Sequence, residues 1–171
     1  RGINVSGQKK IKMPELKALY ESLGFGNVAT YIQSGNVVFS TKCNTESGMR
    51  AKIESAIQDE LGYQVKVILT TPDQLKSIID NNPFGDCDLS KLHVTFLADP
   101  TDASEHAKLE AAKASEEVYK ICGSHVYVYC PNGYGRTKLN NNLIERALAT
   151  PATTRNWNSV NKLLLMADES A

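Results

Sequence analysis

Two stretches of this chain alternate apolar and polar residues across a tight turn, and that pattern restricts the fold more than any other feature. Val28, Thr30 and Ile32 alternate with Ala29 and Tyr31 up to the turn Gln33-Ser34-Gly35-Asn36, and Val37-Val38-Phe39 continue beyond it. Val118 to Cys122 and His125 to Cys130 do the same around Gly123-Ser124, a Gly-first two-residue connection suited to a tight hairpin. Alternation with period two, bounded by turn residues, predicts a β-hairpin in each place.

Helical spacing surrounds both hairpins. Pro14 opens a run with Leu16, Leu19, Tyr20 and Leu23 on one face, stopped by Gly24, which predicts a helix over 14–23. Thr45 is placed to cap a second helix carrying Met49, Ile53, Ala56, Ile57 and Leu61, with Gly62 as its stop. Tyr63, Val65, Val67 and Leu69 then read as a strand with Gln64 and Lys66 on its other face. Thr71-Pro72-Asp73-Gln74 is a capping box before a short helix bearing Leu75, Ile78 and Ile79. After the turn-rich Asn81-Asn82-Pro83-Phe84-Gly85-Asp86 the same grammar returns. A strand over His93 to Ala98, a helix over Ala103 to Ser115, the second hairpin and a helix over Leu139 to Leu148 follow in order. A last helix from about Asn158 presents Trp157, Val160 and Leu164 to the protein.

Strand, helix, hairpin, helix in the second half matches the first half if a strand precedes the first helix there. The expected fold is therefore α+β, with two tandem ferredoxin-like (βαββαβ) units, the first lacking its leading strand. Residues 1–82 make the first unit with an extra short helix, and residues 83–171 the second with a C-terminal helix. A single larger sheet with helices on one face is the alternative. The 171 residues, 42% of them hydrophobic, supply core enough for either.

Composition removes several function classes. Nineteen basic residues against 19 acidic ones leave no net charge, which argues against nucleic-acid binding over the whole surface. The longest apolar run, Leu163 to Ala167, is five residues, far below the ~20 of a membrane span. Cys43, Cys87, Cys122 and Cys130 form no C-x-x-C pair, so neither a metal site nor a disulfide framework is expected, and free thiols point to the cytoplasm. His93, His106 and His125 sit in different elements and outside any metalloprotease frame. No dinucleotide fingerprint is present, and no cofactor is expected.

The residues Arg1-Gly2-Ile3-Asn4-Val5-Ser6-Gly7, Lys12-Met13 and Tyr31-Ile32-Gln33-Ser34-Gly35-Asn36-Val37-Val38-Phe39 resemble the opening signature of a bacterial family of unknown function, DUF1697. Asn132-Gly133-Tyr134-Gly135-Arg136-Thr137-Lys138-Leu139 and Ala152-Thr153-Thr154-Arg155-Asn156-Trp157-Asn158 resemble its second-half signature. The resemblance implies a small α+β bacterial protein and brings no activity, substrate or cofactor.

The candidate ligand-binding residues are Arg1, Asn4, Gln33, Ser34, Asn36, Arg136, Lys138, Arg155 and Asn156, all at strand ends, turns or helix starts. Five basic residues against Glu15 lie in Arg1 to Lys17, and five against Glu145 in Asn132 to Lys162. Gly133 to Lys138 runs towards a helix, where glycines allow close approach and backbone N–H groups favour an anion. It has no Walker A spacing, and it reads equally as a shaped loop in which Thr137 caps the helix. Tyr127 and Tyr129 share a sheet face with Lys120, Cys122 and His125, an arrangement that would stack nucleic-acid bases if open to solvent. Ser34 lacks a nucleophile elbow, and no catalytic set is legible. The expected function is binding of an anionic ligand: a nucleotide, a phosphorylated metabolite or a nucleic-acid backbone. The alternatives are an enzyme acting on a phosphorylated or carboxylated small molecule, and a structural or protein-interaction module. Ligand identity and oligomeric state have no signal.

Overall fold

A computed structural model describes residues 2–5, 9–42, 45–101 and 106–170. Candidate Arg1, Cys43 and the opening of the helix expected over 103–115 lie outside the described residues. The chain is a mixed α+β protein. Among the described residues it has six α-helices, a two-stranded sheet and a four-stranded sheet. None of these helices is long and apolar enough to cross a membrane. Two compact units form, Arg1–Pro72 with Lys162–Ala171, and Asp73–Asn161. The helix after Thr71 thus falls almost wholly in the second unit, where the sequence pattern alone puts it in 1–82.

In the first unit, α1 (Met13–Ser22) buries Met13, Leu16, Leu19 and Tyr20, with Pro14 in its first turn. The hairpin strands β1 (Gly26–Tyr31) and β2 (Asn36–Ser40) pair antiparallel, Ala29 opposite Val38 and Tyr31 opposite Asn36. Helix α2 (Glu46–Leu61) ends at Gly62, whose φ of 73° is a conformation that costs glycine little. Ile53 and Ile57 of α2 join Leu16, Leu19, Tyr20, Phe25 and Val28 in one core. Their burial, not helix propensity, holds these short elements.

Residues 63–69 correct the expectation of a strand. The alternation holds, with Val65 and Val67 buried and Gln64 and Lys66 exposed, yet no ladder forms among the described residues. Side chains take up backbone groups instead: the Val67 N–H donates to Glu54 Oε1 at 2.8 Å, and Lys9 Nζ donates to the Gln64 carbonyl at 2.6 Å. Period-two burial records a half-buried extended chain, and a strand also needs a neighbour.

The second unit runs α3 (Pro72–Asp80), β3 (Leu92–Leu97), α4 (His106–Ala112), β4 (Val118–Cys122), β5 (His125–Tyr129), α5 (Asn141–Leu148) and β6 (Ala152–Asn156). Helix α6 (Trp157–Glu169) follows directly, divided between the units. The strands form one antiparallel sheet in the order β4-β5-β3-β6. Cys122 faces His125 across the hairpin, as its two-residue turn requires, and Gly123 has a φ of 59°. Val126, Val128, Leu97 and Ala152 pack with Leu109 of α4 and with Ile144, Ala147 and Leu148 of α5.

The opposite sheet face corrects the stacking expectation. Tyr127 is 0% exposed, and its hydroxyl donates to the Ile78 carbonyl of α3 at 2.7 Å. Tyr129 stacks on Phe84 with ring centroids 6.1 Å apart. A ring already covered offers no platform to a base.

Candidate functional site

The polar loop Asn132–Leu139 does not run straight into a helix. It turns through a short 3-10 segment (Tyr134–Arg136), and α5 starts only at Asn141, capped by Asn140, whose Oδ1 accepts from the Leu143 N–H at 3.1 Å. The donors expected to cradle a ligand anion instead hold a carboxylate of the protein itself. Glu117, only 6% exposed, accepts from the Lys138 N–H and the Ala114 N–H at 2.8 and 2.9 Å, and also from the Thr137 hydroxyl. Burial pushes its pKa up, but these hydrogen bonds outweigh it and hold the carboxyl below the ordinary glutamate value. Thr137 therefore binds Glu117 rather than capping the helix, and its oxygen accepts from the Leu139 N–H at 3.0 Å.

The charged side chains of this loop point elsewhere. Arg136 and Lys138 are exposed and make no ion pair among the described residues. Arg136 also lines a cavity of about 60 Å³ with Glu116, Glu117, Cys130 and Asn132. Cys130 is buried there, and burial raises its thiol pKa, which makes it a poor nucleophile.

A second polar cluster joins this loop to β6. Tyr134 stacks on His93 of β3, ring centroids 4.6 Å apart, and its buried hydroxyl makes no direct hydrogen bond of normal geometry. Burial raises the Tyr134 pKa, while the Thr154 hydroxyl, the Asn141 N–H and the Arg155 guanidinium beside it pull the value back down. Thr154 Oγ1 lies 2.8 Å from Thr95 Oγ1 and 3.2 Å from Asn141 Oδ1, and Asn141 Nδ2 donates to the Ala152 carbonyl at 2.8 Å. Arg155 NH1 donates to Thr153 Oγ1 and to the Thr154 carbonyl, both at 2.9 Å. Desolvation lowers its pKa to about 10, with Tyr134 opposing, so the guanidinium keeps its charge at neutral pH. Burial likewise lowers the His93 pKa, which favours a neutral ring.

Asn156 is a brace: its Oδ1 accepts from the Ser159 N–H at 2.8 Å and caps α6. Asn4 and Asn36 are braces too. Asn4 Nδ2 donates to the Ile11 and Gln33 carbonyls at 2.8 Å, and its Oδ1 accepts from the Ile11 N–H. Buried Asn36 donates to the Tyr31 carbonyl and to Ser34 Oγ, closing the hairpin turn. The sequence pattern put Arg155 at a site but gave no sign of Glu117, Tyr134, Asn141 or His93. Tyr134 lay inside a motif valued for its glycines, and Glu117 in an acidic stretch without a motif.

Comparison with known proteins adds the fold and the family. No curated protein matches the chain. It is similar to a solved structure of the conserved bacterial protein SP0830 from Streptococcus pneumoniae, at 23% identity and a TM-score of 0.77, over 98% of this chain and 94% of that one. At that identity the likeness speaks for the fold alone. The model of the family described as "Protein of unknown function (DUF1697)" matches residues 1–127, so both signatures after Cys130 lie beyond the match. With about three-quarters of its length matched, the chain belongs to that family.

Proposed function

We propose that the second unit binds a small molecule through a carboxylate or phosphate group. Arg155 and Tyr134 are the donors that grip it, and Arg136 and Lys138 are the charges that draw it in. One observation carries this reading: the buried Tyr134 hydroxyl makes no hydrogen bond of normal geometry, and it interacts electrostatically with the Arg155 guanidinium, itself desolvated by burial. A hydroxyl left so costs roughly 1–3 kcal/mol, and an oxyanion accepting from both groups would recover it. Nucleotides, phosphorylated metabolites and a nucleic-acid backbone all supply that oxygen. The strand order of the second unit and its β-α-β-β-α-β succession also support reading it as ferredoxin-like, and the chain as a tandem of such units.

A panel of sugar phosphates, nucleotides, carboxylates and short nucleic acids tests the site by thermal shift. A phosphate or carboxylate should raise the melting temperature of the protein, and Arg155→Lys, which loses the planar fork, should weaken the shift at least tenfold in concentration. Affinity unchanged between roughly 50 and 200 mM salt, a range over which nucleic-acid binding weakens by orders of magnitude, would select a small molecule. A flat panel would sink the proposal. A second reading, a structural or interaction module, is favoured by Glu117, Asn4, Asn36 and Asn156, whose hydrogen bonds all close the fold on itself.

A further inference from the structure

We infer that the cavity between residues 114–117 and residues 130–137 is a separate binding site, for a small zwitterion that carries an ammonium and a carboxylate as an α-amino acid does. It lies within the second unit and does not call on Arg155 or Tyr134. The cavity measures about 60 Å³. A single water needs roughly 10–15 Å³ on that scale, so the space takes about four to six heavy atoms, a molecule the size of glycine or alanine.

One wall of this cavity is anionic. Glu117 is buried, yet among the described residues it makes no ion pair. Its direct partners are neutral donors: Oε1 accepts from the Lys138 N–H and the Thr137 hydroxyl, and Oε2 from the Ala114 N–H. Oε2 has capacity for one more donor. These bonds keep the carboxyl ionised at neutral pH, and a buried negative charge met only by neutral donors favours a cation in the space beside it. The neighbouring Cys130 thiol, its pKa raised by burial and by Glu117, stays neutral and adds no charge. Glu116, exposed at the rim, adds a second carboxylate, whose Oε2 accepts from Asn132 Nδ2 at 2.7 Å.

The other wall is cationic. Arg136 lines the same cavity, and its guanidinium makes no hydrogen bond or ion pair among the described residues. Its planar fork of N–H donors matches a carboxylate. A simple anion entering here is opposed by Glu116 and Glu117, and a simple cation by Arg136. A molecule bearing both charges satisfies both walls, its ammonium towards Glu117 and its carboxylate towards Arg136.

Titrating the whole chain with glycine, followed by NMR through the backbone amides of residues 132–138, tests this. Glycine should shift these signals saturably. Acetate and methylammonium, each with one of the two charges, should bind at least about tenfold more weakly. Arg136→Gln, at an exposed side chain without partners, should keep the fold and weaken glycine binding about tenfold or more. Glu117→Gln should do the same where it folds, and Glu116→Gln, on the exposed rim, should weaken binding severalfold in any case. Tyr134→Phe and Arg155→Lys should leave the glycine affinity unchanged, which separates this site from the phosphate response. No saturable shift up to about 100 mM glycine would overturn the inference. So would acetate or methylammonium binding as tightly as glycine, an Arg136→Gln protein that binds glycine as before, or a glycine response lost with the Tyr134 hydroxyl.

Discussion

The two units differ most in what lies beside their hairpins. In the second, β3 is flanked on both sides, and the sheet is covered by α4 and α5 on one face and touched by α3 on the other. In the first, the hairpin stands as a pair, and its turn is fixed by side-chain hydrogen bonds from Asn4 and Asn36. Polar residues do different work in each. Around β1–β2 they hold loops in place; beside β6 they include a buried hydroxyl, that of Tyr134, with no hydrogen bond of normal geometry. A polar motif in sequence therefore does not say which of its groups are used up within the fold; burial and hydrogen-bond partners do.

The contrast can be broken at several points. Glu117→Ala should have the largest effect, about 3 kcal/mol by chemical denaturation of the second unit, because it leaves the amides of Ala114 and Lys138 and the Thr137 hydroxyl without their acceptor. The difference between the protein and Glu117→Gln carries its own pH signature. A carboxyl held below its ordinary value of 4.5 stabilises the fold above that pH, and the advantage disappears as pH falls through the lower folded value.

Gly35→Ala comes next, at roughly 1–2 kcal/mol on the first unit. The glycine has a φ of 76°, and its added Cβ would press on Ile3 at 3.1 Å. A neutral result would mean that residues 3–4 and the hairpin turn are not locked together. Tyr127→Phe removes the bond to Ile78 and should cost about 1 kcal/mol, read from the urea midpoint. An unchanged midpoint would show that α3 does not depend on the sheet.

The smallest effect is the response to acid near neutrality. His93 and His125 both have pKa values lowered by burial from 6.5, so the unfolded chain binds protons that the folded one resists. Stability should fall as pH drops below about 6.5, and replacing both by glutamine should flatten the melting temperature there.

Much of the fold is legible because it rests on local patterns. The spacing of Leu16, Leu19 and Tyr20 gives α1, and the Gly123-Ser124 turn fixes the register of the second hairpin. Strand β6 was not legible, since Ala152-Thr153-Thr154-Arg155-Asn156 has almost no apolar face; its threonines were its one strand signal. Residues 63–69 fail the other way, with the right alternation and no strand ladder among the described residues. The Tyr127 face is covered by a helix distant in the chain, which no periodicity reveals. Arg155 was identified from its motif, but the group it meets, Tyr134, depends on how β6 and the 132–139 loop come together.

Melting Tyr134→Phe with and without phosphate tests the binding reading most directly. If the hydroxyl awaits an acceptor, removing it leaves the protein without added phosphate as stable as before, or slightly more so, while the stabilisation that phosphate gives disappears. A variant that loses about 1 kcal/mol without phosphate and still responds to it fully would place that hydroxyl in the scaffold and contradict the account.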